Sequence, residues 1–386
     1  MNRVADLRSV AIFRHQLFKG SEPFIADQAQ PIRRFGILYV GRERLGAAPA
    51  GADSVALCDL PDQRSLRARL WQAASRDPGA YLRVLGERRP GLIHAHFGAD
   101  AVYALALAGR LRVPLITTFH GYDATITTPA LLRSGKPAWW NYAWHRRALA
   151  RRGALFLCVS EYVRDRVVAL GFPAARTLVH YIGVDAGTIR PATMHRSRPT
   201  VLHVARLVEK KGTADLIAAF AAVVQRVPEA ELQIVGEGPL EQRLRRQVER
   251  LGLAGAVQFL GAAPHAAVLE RMATAWVLAL PSVQARSGDA EGLGMVLLEA
   301  AASGVPAVAT RHGGIPEVVV DGETGRLCAE HDVGALAAAL TELLRDERLR
   351  RRLGDAARER VLRHFNLQRQ CAALEDLYAD LMGESA

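Results

Sequence analysis

Two glutamates, Glu291 and Glu299, stand eight positions apart in the segment LPSVQARSGDAEGLGMVLLEAAASGVPAVA, residues 280–309. The first lies in a polar, glycine-containing loop, and the second inside a helix-forming run with Leu297, Leu298 and three alanines. A loop that opens straight into a helix presents unpaired backbone N–H groups with partial positive charge, a setting that suits a diphosphate. Gly292 and Gly294, with Leu293 between them, let the backbone come close to it. A carboxylate at Glu299, in so apolar a helix, needs a donor partner, and a ribose diol is one. Taken alone, the segment also reads as an ordinary helix start with a solvated glutamate.

Its neighbours change the balance. VARLVEKKG puts Arg206 at the end of a strand-like run and Lys211 just before the next helix, so that both cations can reach one diphosphate. GEGPL, with Gly236 and Glu237, follows another strand, and HGGIPE (312–317) follows a third. In the first half, HAHFG (94–98) and TFHGYD (118–123) end two successive strands and contribute His96, His120 and Asp123. The loop after the first strand, FKGSEPFIADQ (18–28), contributes Lys19, Ser21 and Glu22.

These loops need a scaffold, and the alternation of apolar runs with helical patterns describes one. Strands are expected at 10–13, 35–40, 54–57, 92–95, 115–119, 154–159 and 177–180, with helices at 99–111 and 140–150 among them. The polar, proline-flanked stretch 191–198 reads as a linker. Beyond it come strands at 200–205, 231–235, 257–259, 277–280 and 307–309, alternating with helices at 213–227, 240–251, 265–273 and 294–303. This rhythm predicts two doubly wound α/β domains, 1–190 and 199–367, with parallel sheets whose carboxyl ends face a cleft. A last amphipathic helix, within 368–386, is expected to return to the first domain.

At 386 residues, half of them hydrophobic, the chain has the material for two cores. No apolar run is long enough to cross a bilayer, and Arg14 and His15 cut short the first apolar run, which argues against a secretory signal. Cys58, Cys158, Cys328 and Cys371 form no CxxC pair and read as reduced thiols, in keeping with a cytoplasmic protein. The net charge of +11 is uneven: residues 1–195 carry 27 Lys and Arg against 14 Asp and Glu. No RNP motif, basic zipper or zinc-finger spacing accompanies that charge, so nucleic acid is not the expected partner. Residues 139–152, WWNYAWHRRALARR, mix aromatics with arginines and fit peripheral contact with anionic lipid on the inner face of the plasma membrane.

The set RLxxxKG, GEGP, EGLGMVLLEAxASGVP and GGIPE resembles glycosyltransferase family 4, retaining enzymes of the GT-B fold, over nearly the whole chain. The resemblance implies transfer of a hexosyl unit from a UDP- or GDP-sugar without a bound metal or pyridoxal phosphate. By it, Arg206 and Lys211 neutralise the donor diphosphate, Gly236, Glu237, Gly292, Leu293 and Gly294 line the donor, and Glu299 binds the ribose. Glu291 and His120 contact the transferred sugar, which places Glu291, His120, Arg206 and Lys211 at the chemistry. Lys19, Ser21, Glu22, His96 and Asp123 fall on the acceptor side. The 18–28 loop is similar to that of exopolysaccharide-building members, with Pro23 where those usually have threonine, and so suggests a glycan acceptor on polyprenyl diphosphate. Two alternatives stay open at this level: an epimerase-like GT-B enzyme, or a non-catalytic nucleotide-sugar binder.

Overall fold

The computed structural model describes residues 8–189, 191 and 198–383. The chain divides into two compact units, Met1–Gly183 with Leu367–Ala386, and Val184–Asn366. Most of the linker expected at 191–198 lies outside the described residues. Residues 184–189, which the sequence assigns to the first domain, cluster with the second unit. The reason is backbone pairing: the Val184 N–H donates to the Phe365 carbonyl at 2.9 Å.

The first unit holds β1 (Ser9–Phe13), β2 (Gln16–Leu17), β3 (Gly36–Gly41), β4 (Glu43–Arg44), β5 (Asp53–Ala56), β6 (Leu92–His96), β7 (Leu115–Phe119), β8 (Leu155–Cys158) and β9 (Thr177–Val179). Seven of these form a sheet in the order β5-β3-β1-β6-β7-β8-β9, while β2 pairs only with β4. All pairings in the sheet are parallel. Every residue of β6, β7 and β8 is buried, as expected of parallel strands covered on both faces. The helix Leu367–Met382 belongs to this unit and is tied in by polar contacts as well as by Leu374 and Tyr378 in the core. The Tyr378 hydroxyl lies 2.6 Å from His94 Nδ1, and Glu375 accepts the backbone N–H groups of Arg33 and Arg34 at 2.6 and 2.7 Å.

The second unit holds β10 (Thr200–Val204), β11 (Glu231–Val235), β12 (Val257–Phe259), β13 (Val277–Leu280), β14 (Ala307–Thr310) and β15 (Gly325–Cys328). Their order, β12-β11-β10-β13-β14-β15, is that of a dinucleotide-binding sheet, again wholly parallel. Leu216, Phe220 and Val223 from the helix Thr213–Arg226 and Leu336, Leu340 and Leu343 from the helix Val333–Arg345 pack into its core. In each sheet the strand order reverses at one place, between β1 and β6 and between β10 and β13. Ligands of open α/β sheets bind outside the carboxyl ends of the strands at such a reversal.

Candidate functional site

In the second unit the reversal between β10 and β13 gathers most of the residues expected to bind a donor. Arg206 follows β10 by two residues, is exposed, and makes no side-chain hydrogen bond or ion pair among the described residues. Lys211 ends a short 3₁₀ turn, Glu209–Lys211, and pairs with Glu291 across the reversal. Glu291 also accepts from Ser282 Oγ at 3.4 Å. Beside this pair, Lys210 Nζ lies 3.0 Å from Asp289 Oδ1. Burial opposes ionisation of Glu291, but Lys211 and then Lys210 overcome it and hold the carboxyl down at about 2.

Glycines bring these groups together. Gly212 has φ +62°, and a Cβ there would lie 1.8 Å from the Pro281 carbonyl oxygen. Gly313 has φ +55°, and its Cβ would lie 2.1 Å from the Glu291 carbonyl oxygen. Both contacts are with backbone, which cannot swing aside. Gly212→Ala is therefore expected to cost about 2 kcal/mol or more of stability and to displace Lys211. Urea denaturation beside donor turnover checks this; a variant as stable and as active as the parent would contradict the close approach.

Gly294 caps the helix Met295–Ala302 at φ +87°, leaving the amides of the Gly292–Gly294 turn at its start. Glu299 sits on this helix, where His265 Nε2 lies 2.9 Å from its Oε1. The sequence points to a ribose for its partner; the protein supplies one in His265, while Oε2 has no partner among the described residues. Gly236 (φ +127°) brings the turn after β11 against Ala205, and Glu237 Oε1 accepts the Ala262 N–H at 3.2 Å. Three residues that sequence reasoning did not single out complete the site: Lys210, His312 and Glu330. His312 carries no signal of its own within HGGIPE, and Glu330 follows β15, a strand too short and too broken to show in the sequence.

In the first unit, His96 and His120 come together, with His96 Nδ1 3.0 Å from His120 Nε2. His94 stacks on His96 with ring centroids 4.5 Å apart. Burial first, and neighbouring positive groups second, hold all three well below the ordinary histidine range. With both rings neutral, the N–H of one fills the hydrogen bond between them and the facing nitrogen of the other accepts it. The other nitrogen of His120, Nδ1, is buried without a partner among the described residues. Asp123 is held by backbone: its oxygens accept the N–H groups of Gly98 at 2.8 Å and of His120 and Gly121 at 3.1 Å. Burial raises its carboxyl to about 6 despite these donors.

The 18–28 segment is only half a loop, because a helix runs from Pro23 to Ala29. Proline at the first helical position loses no hydrogen bond and has the right φ. Glu22 accepts both Arg14 Nε at 2.9 Å and Arg14 Nη2 at 3.1 Å, and Lys19 Nζ lies 3.2 Å from Glu22 Oε1. Arg14 in turn bonds Asp100 at 2.5 Å, across the reversal between β1 and β6. Ser21 is exposed. A cavity of about 240 Å³ opens beside this network, lined by Leu17, Phe18, Lys19, Glu22, Ile25 and Tyr39 among others. Arg14 and Asp100 were invisible as a pair because 86 residues separate them.

Solved structures with this architecture are glycosyltransferases of the GT-B fold. HepE of Anabaena, in complex with UDP and glucose, superposes with a TM-score of 0.76 at 21% identity, covering 97% of this chain and all of that one. The sucrose-phosphate synthase of Thermosynechococcus elongatus gives 0.78 at 20% identity, with 98% and 100% covered. In sequence, residues 188–360 match the family "Glycosyl transferases group 1" and residues 42–187 match "Glycosyltransferase Family 4". A Salmonella typhimurium protein named as the colanic acid biosynthesis glycosyltransferase WcaL is 36% identical over 288 residues, 72% of this chain and 69% of that one. The GDP-mannose-dependent alpha-(1-6)-phosphatidylinositol monomannoside mannosyltransferase of Mycolicibacterium smegmatis is 34% identical, with 73% and 75% covered. The chain belongs to glycosyltransferase family 4.

Proposed function

We propose that this glycosyltransferase moves a hexosyl unit from a UDP- or GDP-sugar to a glycan acceptor in exopolysaccharide or lipopolysaccharide biosynthesis, with retention at the anomeric carbon and without a bound metal. The observation that carries the donor half is the meeting of Arg206, Lys211 and the Gly292–Gly294 turn at the reversal between β10 and β13. Departure of the nucleoside diphosphate builds negative charge on its β-phosphate. Fixed cations and oriented amides stabilise that charge most in the transition state, which is how such groups lower a barrier. Lys211 can exchange Glu291 for phosphate as donor enters, leaving Glu291 to the sugar hydroxyls. Gly236 and Glu237 close the neighbouring side of the donor. His120, whose Nδ1 has no partner among the described residues, is the first unit's candidate for a sugar hydroxyl.

Names among the relatives support a nucleotide-sugar donor and a polysaccharide product, through colanic acid biosynthesis in one and GDP-mannose in another. The cavity beside Lys19 and Glu22 supports an acceptor position in the first unit, with Ser21 and His96 as further acceptor-side residues. Asp123 acts there by holding the turns that carry His96 and His120. A screen of UDP-, GDP- and ADP-sugars for binding and slow hydrolysis, run with and without a chelator, tests the donor reading. Anomeric analysis of the product tests retention. No binding of any nucleotide sugar would end it, and turnover abolished by chelator would end the metal-free part.

An acceptor on polyprenyl diphosphate would place the reaction at the inner face of the plasma membrane. Among the described residues no helix is long and apolar enough to cross a membrane. Peripheral contact is supported instead by two helices of the first unit, Leu66–Ser75 and Pro137–Arg152, joined where Asn141 Nδ2 donates to the Ala73 carbonyl at 2.7 Å. Of the aromatics in 139–152 only Trp144 is exposed, and Tyr142 is fully buried. The usable face is thus narrower than the composition implied: Trp144, Arg147 and Arg151 at i, i+3 and i+7, with exposed Leu66, Leu70 and Trp71 on the neighbouring helix. Each basic side chain near an anionic surface contributes about 1 kcal/mol and is screened within a Debye length. Flotation with phosphatidylglycerol vesicles should therefore fall as salt rises and fall further when Arg146, Arg147, Arg151 and Arg152 are replaced. Equal recovery on neutral and anionic vesicles would rule the contact out.

A further inference from the structure

The connection from β13 to the helix Met295–Ala302 carries Glu291 and the turn assigned to phosphate, and it contains no strand or helix of its own. A loop of that kind keeps its geometry only through outside anchors. One carboxylate supplies two of them. Glu330 Oε2 accepts the Gln284 backbone N–H at 2.8 Å. Glu330 Oε1 lies 2.7 Å from His312 Nδ1, and His312 Nε2 lies 3.1 Å from the Glu291 backbone nitrogen. A backbone N–H can only donate, so Nε2 is the acceptor and the proton of His312 is on Nδ1, facing Glu330. His312 is almost wholly buried, which fixes its ring in this relay. Glu291 is thereby held at both backbone groups, since its carbonyl accepts the Gly314 N–H at 3.2 Å.

We infer that Glu330 is a positioning residue for sugar transfer, gripping the donor loop at Gln284 directly and at Glu291 through His312. Neither Glu330 nor His312 needs to touch the donor. Their effect is to keep Glu291 and the Gly292–Gly294 amides where the donor meets them. The inference rests on the donor reading of that loop, and its test separates the two.

Glu330→Ala and His312→Ala are each expected to lower kcat/KM for the donor sugar by about 10- to 100-fold, the scale of a misplacement near 1 Å. Because Glu330→Ala already breaks the relay as well as the Gln284 anchor, the double variant should be no worse than Glu330→Ala by more than about threefold. His312→Gln should recover part of the loss, since its amide can accept from Glu291 N–H and donate to Glu330. The side chain of Arg286, in the middle of the loop, is 95% exposed. Trypsin should therefore cut after it faster in the two alanine variants than in the parent or in His312→Gln. Cleavage and kcat/KM both at parental levels in Glu330→Ala would overturn the brace, and so would fully additive losses in the double variant. Faster cleavage with kcat/KM unchanged would overturn the positioning role. If Glu291→Gln and Glu299→Ala leave turnover and nucleotide affinity intact, the donor reading fails, while the cut at Arg286 still reports on the brace.

Discussion

Arg206→Ala and Lys211→Ala should each reduce donor turnover by about 3 kcal/mol, near a hundredfold in kcat, while differing sharply in stability. Arg206 is exposed with no partner among the described residues, so its removal should leave the unfolding midpoint where it was. Lys211 neutralises a buried carboxylate. Its loss leaves Glu291 uncompensated, and breaking a buried pair from one side costs roughly 3 kcal/mol. Adding Glu291→Gln to Lys211→Ala should restore much of that stability without restoring turnover. The pH dependence follows from the sign of the shift. The folded pKa of Glu291, about 2, lies below its ordinary value of 4.5, so its stabilisation is whole above about pH 4.5 and drains away as pH falls towards 2. In Lys211→Ala that drain should largely vanish. Urea denaturation at pH 7 and pH 3, beside steady-state kinetics, reads all of this. Parental kinetics in both single variants would show that the diphosphate binds elsewhere.

The two glutamates should separate by function. Glu299→Ala should weaken binding of free UDP or GDP about 10- to 100-fold, because charge-assisted hydrogen bonds to ribose hydroxyls are worth about 1.5–3 kcal/mol. His265 occupies Oε1 of this carboxylate, so the ribose is expected on Oε2. Glu291→Gln should spare affinity for the free nucleotide, and can raise it, since Lys211 is released to the phosphate. Its turnover should fall by a similar 10- to 100-fold, through the lost contact to the transferred sugar. Calorimetric titration with the nucleotide and kinetics with the full donor distinguish the two. Equal losses of free-nucleotide affinity in both variants would sink the assignment.

Much of this was legible before any coordinates. Parallel strands buried on both faces leave short apolar runs, and twelve strands were located to within a residue or two on that signal. The glycine-marked turns at strand ends pointed to the donor loop for a physical reason: Gly212 and Gly313 sit where backbone meets backbone. β15 escaped because GRLC has neither length nor an unbroken apolar run. With it went Glu330, two residues beyond its end. The Arg14–Asp100 and His312–Glu330 pairs escaped for another reason, since partners in three dimensions leave no trace in a single chain's local pattern. Glu299 makes the same point: a half-buried carboxylate requires a donor, and one of them, His265, stands thirty-four residues away.

The return of the Leu367–Met382 helix to the first unit sets an order of events on the ribosome. Residues 184–366 form a contiguous unit that can close as soon as they emerge. The first unit cannot: the side chains that satisfy Arg33, Arg34 and His94 belong to Glu375 and Tyr378, which are made only after residues 184–366. The half synthesised first is thus completed second, and its long parallel sheet waits with an uncovered seam while the second unit folds. A nascent chain stalled before Leu367 would carry a finished second unit joined to an unfinished first unit, a form exposed to aggregation and proteolysis.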